Sequence, residues 1–315
     1  MLAPDVLKVR IAEGIMAFPA TPFRGDGSLD LPQLAAHVDF LAQHAPSALA
    51  AAGGAGEIFS LSLAEHAEVV RAAVLHGRGI PVIGGAAYGT QLACAMARAV
   101  EQAGADAVLL LPPYLVHCEQ EGLYRHIRAV CDSVAIAVIP YSRDNAVLAP
   151  DTVFRLADDC PNLVGLKDGT GDLAAVSALQ ARVGGRLTIL NGAPTAEMFA
   201  PQCRTVSIHC YSSAVFTFLP LLARHFYGAL RDGREALVED MLSRFYRPLV
   251  KLRQRKRGYS VSIVKAGLRV VGRPAGPVRP PLLDFDASES AMLAELIAGA
   301  SAWAGTRLDA TESQT

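Results

Sequence analysis

The sequence predicts an α/β fold, a closed (β/α)8 TIM barrel followed by a C-terminal helical appendage. Three observations predict it. Short β-like runs alternate with amphipathic helical stretches over residues 1–233 of the 315, the pattern of a parallel sheet with crossover helices. Eight such units recur about every 27 residues, near the roughly 30 of a βαβ element, and an even series of eight favours closure. An open doubly wound sheet would carry a G-x-G-x-x-G turn after its first strand. The glycine runs "GGAGEIF" at Gly53 and "GGAAYG" at Gly84 both miss that spacing.

In chain order the expected strands are Ile15–Phe18, Ala48–Ala52, Val82–Gly85, Val108–Leu111, Ile136–Pro140, Val164–Lys167, Leu187–Leu190 and Val206–His209. Each is short, apolar and bounded by turn residues. Between them "LPQLAAHVDFLAQHA" opens after Asp30, an N-cap residue. "LAEHAEVVRAAVLHG" opens after Ser62 and stops at Gly77, and "TQLACAMARAVEQAG" runs from Thr90 to Gly104. "EQEGLYRHIRAVCDS", "PDTVFRLADDC", "DLAAVSALQARVG", "PTAEMFAPQC" and "PLLARHFYGALRDG" complete the set. After Gly233 the alternation stops. "REALVEDMLSRFYRPLVKLRQRKR", "SVSIVKAGLRVVG" and "ESAMLAELIAGASAWAG" read as helices, joined by the proline-rich "RPAGPVRPP". The expected organisation is a catalytic barrel over 1–233, a helical extension over 234–304 and a polar, frayed tail over 305–315.

Composition narrows the function. The chain is 51% apolar and 19% charged, with 29 Lys+Arg against 30 Asp+Glu. That is a globular composition with no global basic field for nucleic acid or an anionic membrane. "KLRQRKR", ending at Arg257, reads as a solvated helix C-terminus helped by the macrodipole. No apolar run approaches the roughly 20 residues of a membrane span, and charges at Asp5, Lys8, Arg10 and Glu13 break any secretory core. The six cysteines form no C-x-x-C pair and read as free core thiols of a cytoplasmic protein. Metal spacings, a G-x-S-x-G elbow and a phosphate-binding loop are all missing from the sequence. His66, in "AEHAE", reads as part of a polar helix face.

In such a barrel the C-terminal strand ends carry the chemistry. Those ends read "PATPF", "AGGAGE", "PPYL", "IPYSRDNA", "GLKDGTGD", "LNGAPT" and "HCYSSA", crowded with polar residues and glycine. Lys167 is the only lysine among them. Burial among apolar strand residues lowers an ammonium pKa, and a neutral amine attacks a ketone to form a Schiff base. The same lysine could instead snorkel to the rim. Tyr141 ends the neighbouring strand, placed either to carry protons at an imine or to plug the barrel mouth. Arg143 suits a substrate carboxylate or a solvated rim. Gly53, Gly54 and Gly56 form either a backbone nest for a carboxylate or a tight turn. Glu57 then serves as a helix-start acid or a packing residue.

With Lys167 and Tyr141 in place, the chain resembles the dihydrodipicolinate synthase/N-acetylneuraminate lyase superfamily over nearly its whole length. "GLKDGTGD" is similar to that superfamily's Schiff-base lysine motif, "GGAGE" to its carboxylate loop and "IPYSRDNA" to its tyrosine loop. "AAGGAGEIFSL", "LLPPYL", "NGAPTAEMF", "YSSAVF" and "YSVSIVKAGLRVVG" resemble the superfamily's decarboxylating dehydratase branch. The resemblance implies conversion of 5-dehydro-4-deoxy-D-glucarate into 2,5-dioxopentanoate, carbon dioxide and water, a step of glucarate breakdown. It implies Lys167 as nucleophile and Tyr141 as the proton-transfer group. Gly54 and Ala55 would hold the keto-acid carboxylate through backbone N–H groups, and Arg143 would meet the far carboxylate. Asn191, Gly192 and Ser212 would line the pocket. No metal or organic cofactor is implied, and the expected assembly is a homotetramer with Tyr114 near a subunit contact. Two positions depart from the pattern. Ala55 stands where a hydroxyl residue usually relays protons to the tyrosine, and Ser142 where an asparagine is expected, so that either water or Ser212 supplies the relay or activity is reduced or altered. Another class I 2-keto-acid aldolase or lyase, and a keto-acid-binding relative without turnover, remain the alternatives.

Overall fold

The computed structural model describes residues 1–304; the expected tail over 305–315 lies outside them. Eight parallel strands close into a barrel in sequence order: β1 (Glu13–Ala17), β2 (Ala48–Ala51), β3 (Val82–Ala86), β4 (Ala107–Leu110), β5 (Ala137–Ser142), β6 (Gly165–Asp168), β7 (Thr188–Asn191) and β8 (His209–Ser213). The ring is sealed where β1 pairs β8, from Glu13 opposite His209 to Ala17 opposite Ser213.

The expected last strand, Val206–His209, is corrected by about one strand length. Val206 instead caps a short helix, and Ser207 takes a left-handed φ of 62°. The true β8 is the polar-looking "HCYSS". Its Tyr211 packs outward on the helices and its Cys210 inward. Cys210 and Tyr211, set between His209 and the serines Ser212 and Ser213, hide a strand with buried residues on both faces.

The helices are α1 (Pro4–Arg10), α2 (Leu31–Gln43), α3 (Leu63–His76), α4 (Thr90–Gln102), α5 (Gln120–Asp132), α6 (Pro150–Asp159), α7 (Leu173–Val183), α8 (Ala200–Thr205) and α9 (Pro220–Arg231). Their starts follow the expected caps. Asp30 accepts from the Gln33 N–H, and Ser62 and Glu65 form a reciprocal capping box. "PTAEMFAPQC" is not one helix: a 3-10 turn over Ala196–Met198 precedes α8.

Strand alternation sends one set of side chains into the lumen and the other against the helices. The lumen is filled by alternating small and large residues, among them Ala48, Ala50, Ile83, Leu109, Ala137 and Ile139. Leu7 of α1 and Ile11, which caps the helix's C-terminus, are both 0% exposed and join that inner cluster. The Leu2 N–H donates to Asp106 Oδ1 just before β4, and Thr188 at the start of β7 donates to the Lys8 carbonyl. α1 is therefore a stopper across the N-terminal mouth, leaving the opposite mouth for ligands.

After β8 and α9 come α10 (Glu235–Met241), a π-helical turn over Leu242–Tyr246, α11 (Arg247–Arg253), α12 (Tyr259–Val270) and α13 (Ala287–Ala304). The extra residue of the π turn rotates α11 relative to α10. Its last turn thereby faces the barrel mouth, where Leu249 and Arg253 line the cavity. No helix among the described residues is long and apolar enough to cross a membrane.

His66 does not lie on a polar face: it is 1% exposed, with Nε2 2.7 Å from the Gly85 carbonyl, and burial lowers its pKa. The six cysteines are all free, but Cys118 is exposed and Cys203 only half-buried, so they are not uniformly core thiols.

Candidate active site

The C-terminal mouth opens on a cavity of about 510 Å³. It is mostly apolar, walled by residues such as Phe18, Leu109, Phe218 and Ile263, with a few polar groups converging. Lys167, Tyr141, Arg143, Gly54, Ala55, Gly192 and Ser212 all line it.

Strand geometry explains the centre. Leu166 belongs to the helix-facing core, so its neighbour Lys167 points into the lumen. Pairing of β5 with β6 sets Tyr141 directly opposite Lys167. The lysine is 6% exposed, and its Nζ lies 3.7 Å from the Tyr141 ring centroid and 4.7 Å from that of Phe18. It takes part in no ion pair among the described residues. Burial, and secondarily the nearby Arg143 charge, bring its pKa down to about 7. The amine is buried and partly neutral near physiological pH, rather than snorkelled to the rim.

The Tyr141 hydroxyl donates to the Gly192 carbonyl at 2.6 Å and accepts from Arg143 Nη1 at 3.1 Å. Burial raises its pKa, and the Arg143 charge opposes the rise. Arg143 is itself committed: Nε donates to Asp144 at 2.7 Å, and Nη2 reaches the same carboxylate at 3.4 Å. It serves the tyrosine and is paired with its neighbour Asp144, so solvent is not its only partner.

Two glycines are there for space. A Cβ on Gly192 would lie 2.6 Å from Lys167 Cγ and 2.9 Å from the Asp168 carbonyl. A Cβ on Gly169 would lie 2.8 Å from Tyr141 Cε2. The glycines of "GLKDGTGD" and "NGAPT" thus make room for two side chains borne on other strands.

The glycine loop after β2 presents Gly54 and Ala55 to the cavity. Neither backbone N–H finds an acceptor among the described residues. The loop is braced from below, because Thr21 donates to the Gly56 carbonyl at 2.6 Å. Glu57 does stand at a helix start, as the N-cap of a 3-10 turn over Ile58–Ser60, but its side chain does not cap that turn. It takes a left-handed φ of 56° and is 0% exposed. Its Oε1 pairs with Lys265 of α12 at 2.7 Å, and its Oε2 accepts from the Arg279 N–H. Lys265, also 0% exposed, has its pKa lowered by burial against the pull of Glu57. Sequence reading missed this pair because its members stand far apart along the chain.

Asn191 is not placed on the cavity. Its Nδ2 donates to the Ala196 carbonyl and its Oδ1 accepts from the Ala193 N–H, so it shapes the turn after β7. Ser142 likewise has a structural task, accepting from the Leu148 N–H. Arg253, read as part of a solvated helix end, instead lines the cavity and donates to Thr195 Oγ1.

The model of the dihydrodipicolinate synthetase family matches residues 11–300. The chain is 49% identical over 299 residues to a protein of Rhizobium rhizogenes named "Probable 5-dehydro-4-deoxyglucarate dehydratase", covering 95% of this chain and 99% of that one. It is 51% identical over 295 residues to a protein of the same name from Saccharopolyspora erythraea, covering 93% and 96%. Among solved structures, dihydrodipicolinate synthase from Bacillus clausii superposes with a TM-score of 0.85 at 26% identity, covering 95% of this chain and 99% of that one.

Proposed function

The chain belongs to the dihydrodipicolinate synthetase family, and from that premise we propose that it dehydrates and decarboxylates 5-dehydro-4-deoxy-D-glucarate through a Schiff base on Lys167. The observation that carries the reading is a buried lysine amine, free of any carboxylate partner among the described residues, facing a tyrosine inside a closed barrel. The relatives' names supply the substrate.

The chemistry needs one electron sink. The neutral Lys167 amine attacks the C5 ketone, and loss of water from the carbinolamine gives a protonated imine. That cation acidifies C4. Removal of a C4 proton gives an enamine, whose electrons expel the C3 hydroxyl as water. The resulting unsaturated imine conjugates C3 to the nitrogen. The C1–C2 bond then breaks, carbon dioxide leaves, and the pair flows through C2, C3, C4 and C5 to the same nitrogen. Reprotonation and hydrolysis return Lys167 and release 2,5-dioxopentanoate. Tyr141, polarised by Arg143, moves protons at the carbinolamine. Gly54 and Ala55 hold the C6 carboxylate beside the imine, and Ser212 or water replaces the hydroxyl that Ala55 lacks. The reaction proceeds without a metal or organic cofactor. The assembly is a homotetramer.

The test is turnover of the pure protein on the keto-deoxy diacid. Carbon dioxide and 2,5-dioxopentanoate should form together, and Lys167→Ala should form neither. Pyruvate plus an aldehyde would instead assign an aldolase, and tight binding without product would assign a keto-acid-binding relative.

A further inference from the structure

We infer that Arg253 recognises the second carboxylate of a dicarboxylic 2-keto acid and so sets a preference for diacids over monoacids. The inference rests on the proposed reading of the site and deepens it.

Two guanidinium groups line the cavity, those of Arg143 and Arg253. They differ in what already occupies them. Arg143 places Nε and Nη2 on Asp144 and Nη1 on Tyr141. Its charge is paired with Asp144, and its Nη1 is engaged by the proton-transfer residue. A substrate carboxylate would have to displace Asp144 to reach it.

Arg253 is the reverse case. It ends α11, is half-buried, and among the described residues makes no ion pair. Among the described residues its one side-chain hydrogen bond goes from Nη1 to Thr195 Oγ1. Thr195 is buried and held at a left-handed φ of 53° in the turn after β7. That hydroxyl orients one edge of the guanidinium, whose other N–H groups have no protein acceptor among the described residues. The acid whose charge acts on Arg253 is Glu197. Glu197 is 0% exposed, its Oε1 accepts from Ser213, and burial pushes its pKa up to about 7. It gives only partial compensation near neutral pH. A partly desolvated cation without a counter-ion is unfavourable. A carboxylate supplied by the ligand relieves it, and the planar fork of arginine accepts one bidentately.

The geometry also divides the two ends of a substrate. The free N–H groups of Gly54 and Ala55 and the Lys167 amine serve the keto-acid end. Arg253 comes from the C-terminal appendage, a different part of the chain, and lines the same cavity. A ligand that engages both must carry a second anion. Gripping the far carboxylate by its oxygens fixes the C1–C2 bond against the plane of the unsaturated imine, as release of carbon dioxide requires.

The experiment compares wild type with Arg253→Gln and Arg253→Lys. Two readouts are needed: KM and kcat on 5-dehydro-4-deoxyglucarate, and the pyruvate concentration that half-saturates borohydride trapping on Lys167. Arg253→Gln should raise KM for the diacid by roughly 10- to 100-fold, the worth of a charged hydrogen-bonded pair, with kcat lowered less. Half-saturation by pyruvate should stay within about twofold of wild type, since pyruvate has no second carboxylate for Arg253 to hold. Arg253→Lys should recover part of the diacid affinity. An unchanged diacid KM in Arg253→Gln overturns the inference, and so does an equal loss for diacid and pyruvate, which marks a merely structural arginine. Undisturbed pyruvate trapping reports a folded site in the same sample. Failure of the wild type to form an imine with either acid overturns the proposed function instead.

Discussion

Lys167 is the residue on which the chemistry turns, and its properties come from its surroundings. Burial brings its pKa down to about 7, and Arg143 adds repulsion from the rim. As pH rises through about 7 the folded protein loses that proton, so the fraction of competent nucleophile rises with pH. The side chain also needs an unobstructed path across the lumen, which Gly192 provides. A methyl there would overlap both Lys167 Cγ and the Asp168 carbonyl. Gly192→Ala should therefore lower kcat by about 100-fold, the scale of a 1 Å misplacement, while stability falls by only roughly 1–3 kcal/mol. Steady-state kinetics beside chemical denaturation separates the two. Lys167 and Tyr141 were legible in the sequence because each polar residue closes an apolar strand. Gly169 and Gly192 were legible only as turn residues, since the side chains they make room for come from other strands. His66 was misread because helical periodicity reports which side a residue occupies, not whether a neighbouring helix or strand covers that side.

Elements outside the barrel hold the mouth in shape. The glycine loop after β2 has little side-chain packing of its own. Its anchor is Glu57, tied to Lys265 of α12 and to the Arg279 backbone. The Arg279 side chain continues the clamp, donating to the carbonyls of Gly27 and Ser60 and pairing with Glu65 at the start of α3. The C-terminal appendage thus fixes the loop proposed to bind the keto-acid carboxylate. Lys265→Met strands a buried carboxylate and should destabilise the fold by roughly 3–5 kcal/mol. Adding Glu57→Gln should recover part of that loss, because no uncompensated charge remains. Urea unfolding of the single and double variants checks both statements. Helix boundaries were readable wherever a cap stood in the sequence, as at Asp30 and Ser62. β8 was displaced because its serines and tyrosine mask a buried strand. The Glu57–Lys265 tie was unreadable because no local pattern joins a turn residue to a lysine some two hundred positions later.

At the scale of the whole molecule, eight strands in sequence order close a lumen packed with alanine and larger aliphatic residues. The count of repeating units made closure readable. The stopper at the N-terminal mouth was not, since α1 is only seven residues long and Leu7 with the capping Ile11 shows no extended period. With one mouth stopped and the other roofed by α11 and α12, the polar groups converge in one cavity. That enclosure is what desolvates Lys167. The same π turn that brings α11 to the mouth carries Arg253 there, which a charge run in the sequence could not reveal.

The most direct test is borohydride reduction of the pure protein in the presence of 5-dehydro-4-deoxyglucarate, followed by peptide mass spectrometry across a pH series. The account expects one stable adduct, on the peptide containing Lys167, forming faster as pH rises through about 7. No adduct at any pH, or an adduct on another lysine with Lys167 unmodified, would contradict it.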